Sequence, residues 1–109
     1  MEDPIETISK WIRNSKRVVI FTGAGLSTES GIPDFRSPGG LWDRYNPEDF
    51  DFRNFISNQA SREKYWQMAT EMYAPIKRAH PNLAHLAIAE MERLGGTLCK
   101  RYRIYGKLL

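Results

Sequence analysis

An apolar run that breaks into a glycine turn constrains this chain more than any other feature. Val18, Val19, Ile20, Phe21 and Thr22 are followed at once by Gly23-Ala24-Gly25. The run has no polar interruption, the pattern of a parallel strand buried on both faces. A strand that runs into a glycine-rich turn and then a helix start is a place where a nucleotide pyrophosphate can sit. Gly23 and Gly25 have no Cβ, so the backbone can approach a ligand closely. The first N–H groups of a following helix lack intrahelical partners and lie at the positive end of its dipole.

Spacing alone leaves an ordinary strand–helix turn open as an alternative. The strict dinucleotide fingerprint puts its third glycine three residues after the second; here Gly31 comes six residues after Gly25. The stretch that follows adds weight to the ligand reading. Pro33 fixes its own φ and biases Ile32 toward extended backbone. Asp34, Phe35 and Arg36 then place a carboxylate, an apolar plate and a permanent cation within three residues.

The full string from Gly23 to Arg36 resembles the first signature of the sirtuins, the NAD-dependent protein lysine deacylases, written roughly GAG(I/L)S-x-x-SGIPDFR. Every defined position is matched. Two further stretches agree: Ser37-Pro38-Gly39-Gly40-Leu41-Trp42, and Ala79-His80-Pro81-Asn82-Leu83-Ala84-His85, which is similar to the family's A-x-PN-x-AH helix start. The resemblance covers about residues 3–98. It implies an α/β fold: the amino-terminal part of a Rossmann-like, doubly wound parallel-sheet domain, without the family's small zinc-binding domain.

After residue 98 the resemblance stops. The family continues with a TQNID-type motif, a histidine in an HG pair, two pairs of zinc-binding cysteines and a GTS-type second nucleotide loop. None of these is present, so the catalytic histidine has no counterpart and a catalytic residue is not assigned. The single Cys99 cannot make a four-cysteine zinc site or a disulfide framework, and no metal ligand is expected in the chain.

Charge sets residues 99–109 apart from residues 1–98. The chain carries 16 Lys and Arg against 13 Asp and Glu, a formal net charge of +3. Four of those bases and no acid lie in the last ten residues, so the other ninety-nine are net −1. Nucleic acid is therefore not expected as a partner, because no basic patch remains without the tail. The alternation of Arg101 and Arg103 with Tyr102 and Ile104 allows a strand near 97–105. A frameshifted or prematurely ended reading frame is the expected origin of the tail.

The remainder reads as helices around one confident strand. Asp3-Pro4-Ile5-Glu6 opens a helix with an acidic N-cap and proline in the first position. Ile5, Ile8, Trp11 and Ile12 form its apolar face. Residues 37–50 are rich in turn formers, and the interspersed Trp42, Tyr45 and Phe50 either pack the segment down or form part of a lid; a mobile cofactor-covering loop is the expected form. Helices are predicted over 52–57 and 62–73, the second burying Tyr65, Met68, Ala69, Met72 and Ile76. Another begins near Asn82, packs through Leu83, Ala87, Met91 and Leu94, and is closed by Gly95. His85 is expected on the opposite, solvated side, and His80 in an exposed or structural position. Neither is expected to be catalytic. No segment reaches membrane-spanning length and no signal peptide is evident, so a cytoplasmic protein without a membrane partner is expected.

The resemblance implies specific roles. Sirtuins cleave the nicotinamide–ribose bond of NAD as the acyl oxygen of a modified lysine attacks the sugar, and a histidine base helps pass the acyl group on. Gly23, Ala24, Gly25 and Ser27 would hold phosphates. Thr28, Pro33 and Arg36 match cofactor-binding positions, Arg36 being suited to bidentate contact. Phe35 would shield the sugar carbon from water. Asp34 would orient the nicotinamide end or brace the loop. NAD is the implied cofactor and acylated-lysine proteins are the substrates of an intact enzyme. This chain alone is expected to be inactive, since the groups favouring the transition state are missing. The alternative is a non-catalytic NAD- or ADP-ribose-binding module, or one half of a split protein.

Overall fold

The computed structural model of the chain describes residues 1–97 and 101–105, with Gly96, Thr97 and 101–105 as backbone only. Cys99 lies outside the described residues. The order of elements is helix α1 (Pro4–Asn14), strand β1 (Arg17–Phe21), three short 3-10 helices, then α2 (Phe52–Ser57), α3 (Gln59–Arg78), α4 (Leu83–Thr97) and strand β2 (Arg101–Tyr105).

The opening helix forms for the reasons its sequence predicts. The Asp3 carboxylate accepts from Ile5 N–H at 3.0 Å, and Pro4 occupies the first turn, where its missing N–H costs nothing. Its apolar face, however, is not covered by the described residues: Ile5 is 74% and Trp11 67% exposed. The sheet corrects the expectation in the same way. β1 is parallel to β2, with Arg17 opposite Arg101 and Phe21 opposite Tyr105, so the weak strand candidate near 97–105 does pair. Burial on both faces is not found, because Val19 and Phe21 are 65% and 85% exposed. A two-stranded sheet with few helices against it cannot enclose its own side chains.

Helix α2 has the expected bounds, whereas α3 extends beyond 62–73 at both ends. Asn58 caps it by accepting from Ala60 N–H at 2.9 Å, and Pro75 lies inside without ending it. Its expected stripe is only partly buried: Met68, Ala69 and Met72 are half-buried, while Tyr65 and Ile76 remain exposed. α4 runs through Gly95 instead of stopping there. Gly95 is buried, and the roughly 1 kcal/mol that glycine costs inside a helix does not end α4 there. The buried face of α4 also differs from the predicted one. It passes through His85, Ile88 and Gly95, while Leu83 and Leu94 face outward. Among the described residues no helix is long and apolar enough to cross a membrane.

Among the described residues the buried side chains are Ser27 on the glycine turn, Leu41 on the loop after it, Ser61 at the start of α3, and His85 and Ile88 on α4.

Candidate cofactor site at the glycine turn

Beyond β1 the chain extends through Gly23 and enters a 3-10 helix over Ala24–Ser30. The expected helix start is thus present in the tighter form, with Leu26 N–H bonded to Gly23 O at 3.2 Å. Gly31 closes it in the left-handed region, φ +88° and ψ +12°, which a side chain would resist. A Cβ built on Gly23 or Gly25 would meet nothing within 4 Å. Neither glycine is therefore needed for internal packing, and both leave open space in front of the turn. That opening fits a phosphate approaching backbone N–H groups.

Asp34, Phe35 and Arg36 continue from this turn. Asp34 is half-buried and accepts from Ser37 N–H at 3.2 Å and from the Ser37 hydroxyl. These bonds tie the carboxylate to its own loop. The next loop segment folds back tightly, with Leu41 N–H on Asp34 O at 2.8 Å and Trp42 N–H on Phe35 O at 2.9 Å. Gly40 makes this return possible. A Cβ there would lie 2.8 Å from Asp34 Oδ1 and from the carbonyl oxygens of Phe35 and Ser37. Sequence reading quoted Gly40 in a motif without seeing that need, because the crowding comes from residues folded against it.

Phe35 is 37% exposed, its ring 5.0 Å from that of Trp42. The aromatic series continues from Trp42 to Phe50 at 5.5 Å and from Phe50 to Tyr65 at 6.5 Å. Residues 37–50 are thereby packed down on α3, and Lys64–Asp49 at 2.7 Å and Arg44–Glu71 at 3.1 Å add ion pairs. Tyr45 also hydrogen-bonds Glu71, which is the main reason its phenol titrates above the ordinary value. An open cavity of about 690 Å³ lies between loop and helix, lined by Phe35, Trp42, Phe50, Tyr65 and Met68 among others. A second, of about 400 Å³, is lined by Thr28, Pro33, Asp34 and the glycines of 31–40. Arg36 is exposed and makes no ion pair among the described residues.

His85 requires the largest correction. It is 4% exposed, and its Nε2 lies 3.2 Å from Ser27 Oγ, itself 8% exposed. Its Nδ1 accepts from Asn82 N–H at 3.1 Å. The expected solvated position fails because α4 is tied to the glycine turn at its first residues. Asn82 Nδ2 donates to Leu26 O at 2.8 Å and to Ser30 Oγ at 3.0 Å, while its Oδ1 caps α4 by accepting from Ala84 N–H at 2.9 Å. Asn82 was visible in sequence only as a helix start. His80 is exposed, as expected. Of the predicted site residues, Gly23, Ala24, Gly25, Ser27 and Thr28 lie on one turn, and Pro33, Asp34, Phe35 and Arg36 on the segment that leaves it. Among the described residues no three His, Cys, Asp or Glu side chains converge as metal ligands, and the one cysteine in the sequence does not fit a four-cysteine zinc site.

A parallel strand, a glycine turn open toward solvent and a helix tied to that turn define part of a Rossmann-like nucleotide-binding fold. The Sir2 family model matches residues 23–102. An NAD-dependent protein deacetylase of Thermodesulfovibrio yellowstonii is 48% identical over 93 residues, 83% of this chain and 36% of the relative. NAD-dependent protein deacylase 2 of Archaeoglobus fulgidus is 45% identical over 95 residues, 87% of this chain and 36% of the relative. Among solved structures, a mutant Sir2 homologue in complex with ADP-ribose superposes with a TM-score of 0.74 at 37% identity, over 99% of this chain and 40% of that one. A Sir2 homologue–NAD complex gives 0.67 at 43% identity, over 86% and 36%. The chain belongs to the Sir2 family, and it spans little more than a third of the length of these curated relatives.

Proposed function

We propose that this chain is the cofactor-binding part of an NAD-dependent protein lysine deacylase and is inactive alone. The observation that carries this reading is the open glycine turn, with Ser27 and Thr28 on it, in a chain of a family whose solved relatives include NAD and ADP-ribose complexes. When bound, NAD supplies an activated glycosidic carbon with nicotinamide as leaving group. Gly23, Ala24 and Gly25 present backbone N–H groups to its phosphates and Ser27 adds a hydroxyl, while the Thr28 hydroxyl donates to Gly25 O at 2.9 Å and holds the turn in shape. Arg36 offers a planar cation to charged oxygens. Phe35, held against Trp42, excludes water from the sugar. Asp34 keeps this segment in place through Ser37. The loop over 37–50 covers the cofactor from the side of α3. Acylated lysine side chains of proteins are the substrate class of the intact enzyme. A cytoplasmic setting suits a chain with one cysteine.

The test is calorimetric titration of the 109-residue chain with ADP-ribose, paired with an acetyl-peptide assay for nicotinamide release. Saturable binding without release is expected. Release above blank would overturn the inactivity, and absence of any binding would overturn the cofactor assignment.

A further inference from the structure

Two bodies meet at the glycine turn, and the chain crosses between them twice. The first comprises residues 34–74. Leu41 N–H donates to Asp34 O at 2.8 Å and Trp42 N–H to Phe35 O at 2.9 Å, so the segment leaving the turn is fastened to the loop over 37–50. That loop is fastened in turn to α3 by Asp49–Lys64 at 2.7 Å and Arg44–Glu71 at 3.1 Å. α2 joins them where Arg62 donates to Phe55 O at 3.0 Å and to Ile56 O at 2.9 Å. The second body comprises the turn and α4, tied by Asn82 to Leu26 and Ser30 at 2.8 and 3.0 Å.

Each crossing contains a proline. At the first, Ile32 N–H still bonds Ser27 O on the turn at 3.3 Å, while Asp34 already belongs to the loop, and Pro33 alone lies between them. At the second, α3 contains Pro75, which has no N–H to offer the Glu71 carbonyl four residues earlier. Arg62, Lys64 and Glu71, which grip α2 and the loop, all precede that gap, and Asn82, which grips the turn, follows it. Helices bend most readily where proline interrupts the hydrogen-bond ladder. The cavity of about 400 Å³ lies across the first crossing, with Thr28 and Gly31 on one wall and Asp34, Ser37 and Gly40 on the other. Its width therefore depends on the angle between the two bodies.

We propose that residues 34–74 swing as one body against the glycine turn and α4, about joints at Pro33 and Pro75, and that a nucleoside diphosphate at the turn draws the two together. The identity of the closing ligand rests on the cofactor reading above; the joints do not. A ligand shifts such an equilibrium only through contacts that differ between its states. One that reaches from the turn into this cavity touches both walls, and it touches them together only when they are close. Closure then carries the loop over 37–50 along with α3 and leaves the contacts between loop and helix intact.

Distances between spin labels on the whole chain, in a Cys99→Ser background, test this. The pair Arg53→Cys and Gln67→Cys lies within the moving body, and the pair Gln67→Cys and Glu92→Cys spans the second joint; all three positions are exposed. ADP-ribose should shift the spanning distance by more than about 2 Å and leave the inner distance unchanged. Pro75→Ala supplies an N–H for the Glu71 carbonyl and favours the helix. Without ligand, its spanning distribution should be narrower than that of the proline-containing chain, and its ADP-ribose shift should be smaller. Calorimetry on the labelled samples reports whether ADP-ribose is bound. A spanning distance unmoved by bound ADP-ribose, or an inner distance that changes with it, would overturn the closure. Absence of binding would overturn the cofactor reading and the closing ligand with it. The ligand-free widths then decide the joint by themselves, and equal widths with and without Pro75 would overturn it.

Discussion

Asn82 Nδ2 donates to the carbonyl oxygen of Leu26 at 2.8 Å, joining the start of α4 to the glycine turn across 56 positions of sequence. The same side chain caps its own helix through Oδ1. One residue thus terminates the exposed backbone of two elements and fixes their relative position.

Asn82→Ala should lower the stability of the chain by about 2–3 kcal/mol, since it removes an N-cap and leaves the Leu26 carbonyl without its donor. Asn82→Asp keeps the cap but loses both Nδ2 bonds, and should cost about half as much. Urea unfolding followed by circular dichroism measures both. Equal losses in the two variants would show that the Nδ2 bonds alone matter and the cap adds nothing.

The two kinds of glycine at the site should separate stability from binding. Gly40→Ala places a Cβ 2.8 Å from two carbonyl oxygens and a carboxylate oxygen, so the loop must open, at a cost of about 1–3 kcal/mol. Gly25→Ala meets no atom within 4 Å and should change stability by less than about 0.5 kcal/mol. Its methyl group nevertheless occupies the approach to the turn, and ADP-ribose should bind at least about tenfold more weakly. Thermal unfolding with and without ADP-ribose distinguishes the two; unchanged binding by Gly25→Ala would place the ligand elsewhere.

The loop over 37–50 is held by aromatic packing more than by charge. Trp42 lies between Phe35 and Phe50, with ring centroids 5.0 and 5.5 Å away. Trp42→Ala should cost about 2–3 kcal/mol, less than for a fully buried tryptophan because the residue is only half-buried. Lys64→Ala breaks the surface pair with Asp49 and should cost about 0–1 kcal/mol, diminishing further in high salt. A larger effect from Lys64→Ala than from Trp42→Ala in denaturant titrations would reverse this ranking.

Acid should loosen α4 through Glu90. Its carboxylate accepts from Arg93 Nε at 2.8 Å. That hydrogen bond outweighs the opposing desolvation and, with the guanidinium charge adding to it, holds the Glu90 carboxyl below its ordinary value of 4.5. A folded-state value lower than the unfolded one means that the contribution is complete above 4.5 and is lost as pH falls through the depressed value. Helicity followed during acid titration should fall less steeply over that window in Glu90→Gln than in the wild type. Superimposable profiles would show that the pair has no part in acid lability.

Local chemistry is legible in the sequence wherever neighbours in the chain are sufficient to decide it. The Asp3-Pro4 cap, the bounds of α2, the glycine turn after β1 and the grouping of Gly23 to Arg36 follow from residue types within a few positions of one another. The sirtuin resemblance rests on the same short stretch, and the match of the family model over residues 23–102 agrees with it. His85 was misplaced for the opposite reason. Helical periodicity put it opposite Leu83 and Leu94, on a face taken to be wet, but the side of α4 that is buried depends on what the helix is tied to.

The sequence by itself determined the strand, the turn and the chemical inventory of the candidate site, because these depend on backbone freedom, capping and apolar patterning along the chain. Tertiary structure alone decided that Gly40 must lack a side chain, that Asp34 braces its own loop, and that Asn82 and His85 reach Leu26 and Ser27. It also decided that the apolar face of α1 and the Val19 and Phe21 side of β1 are left uncovered by the described residues. Burial and long-range hydrogen bonding are properties of which surfaces meet, and no local pattern carries that information.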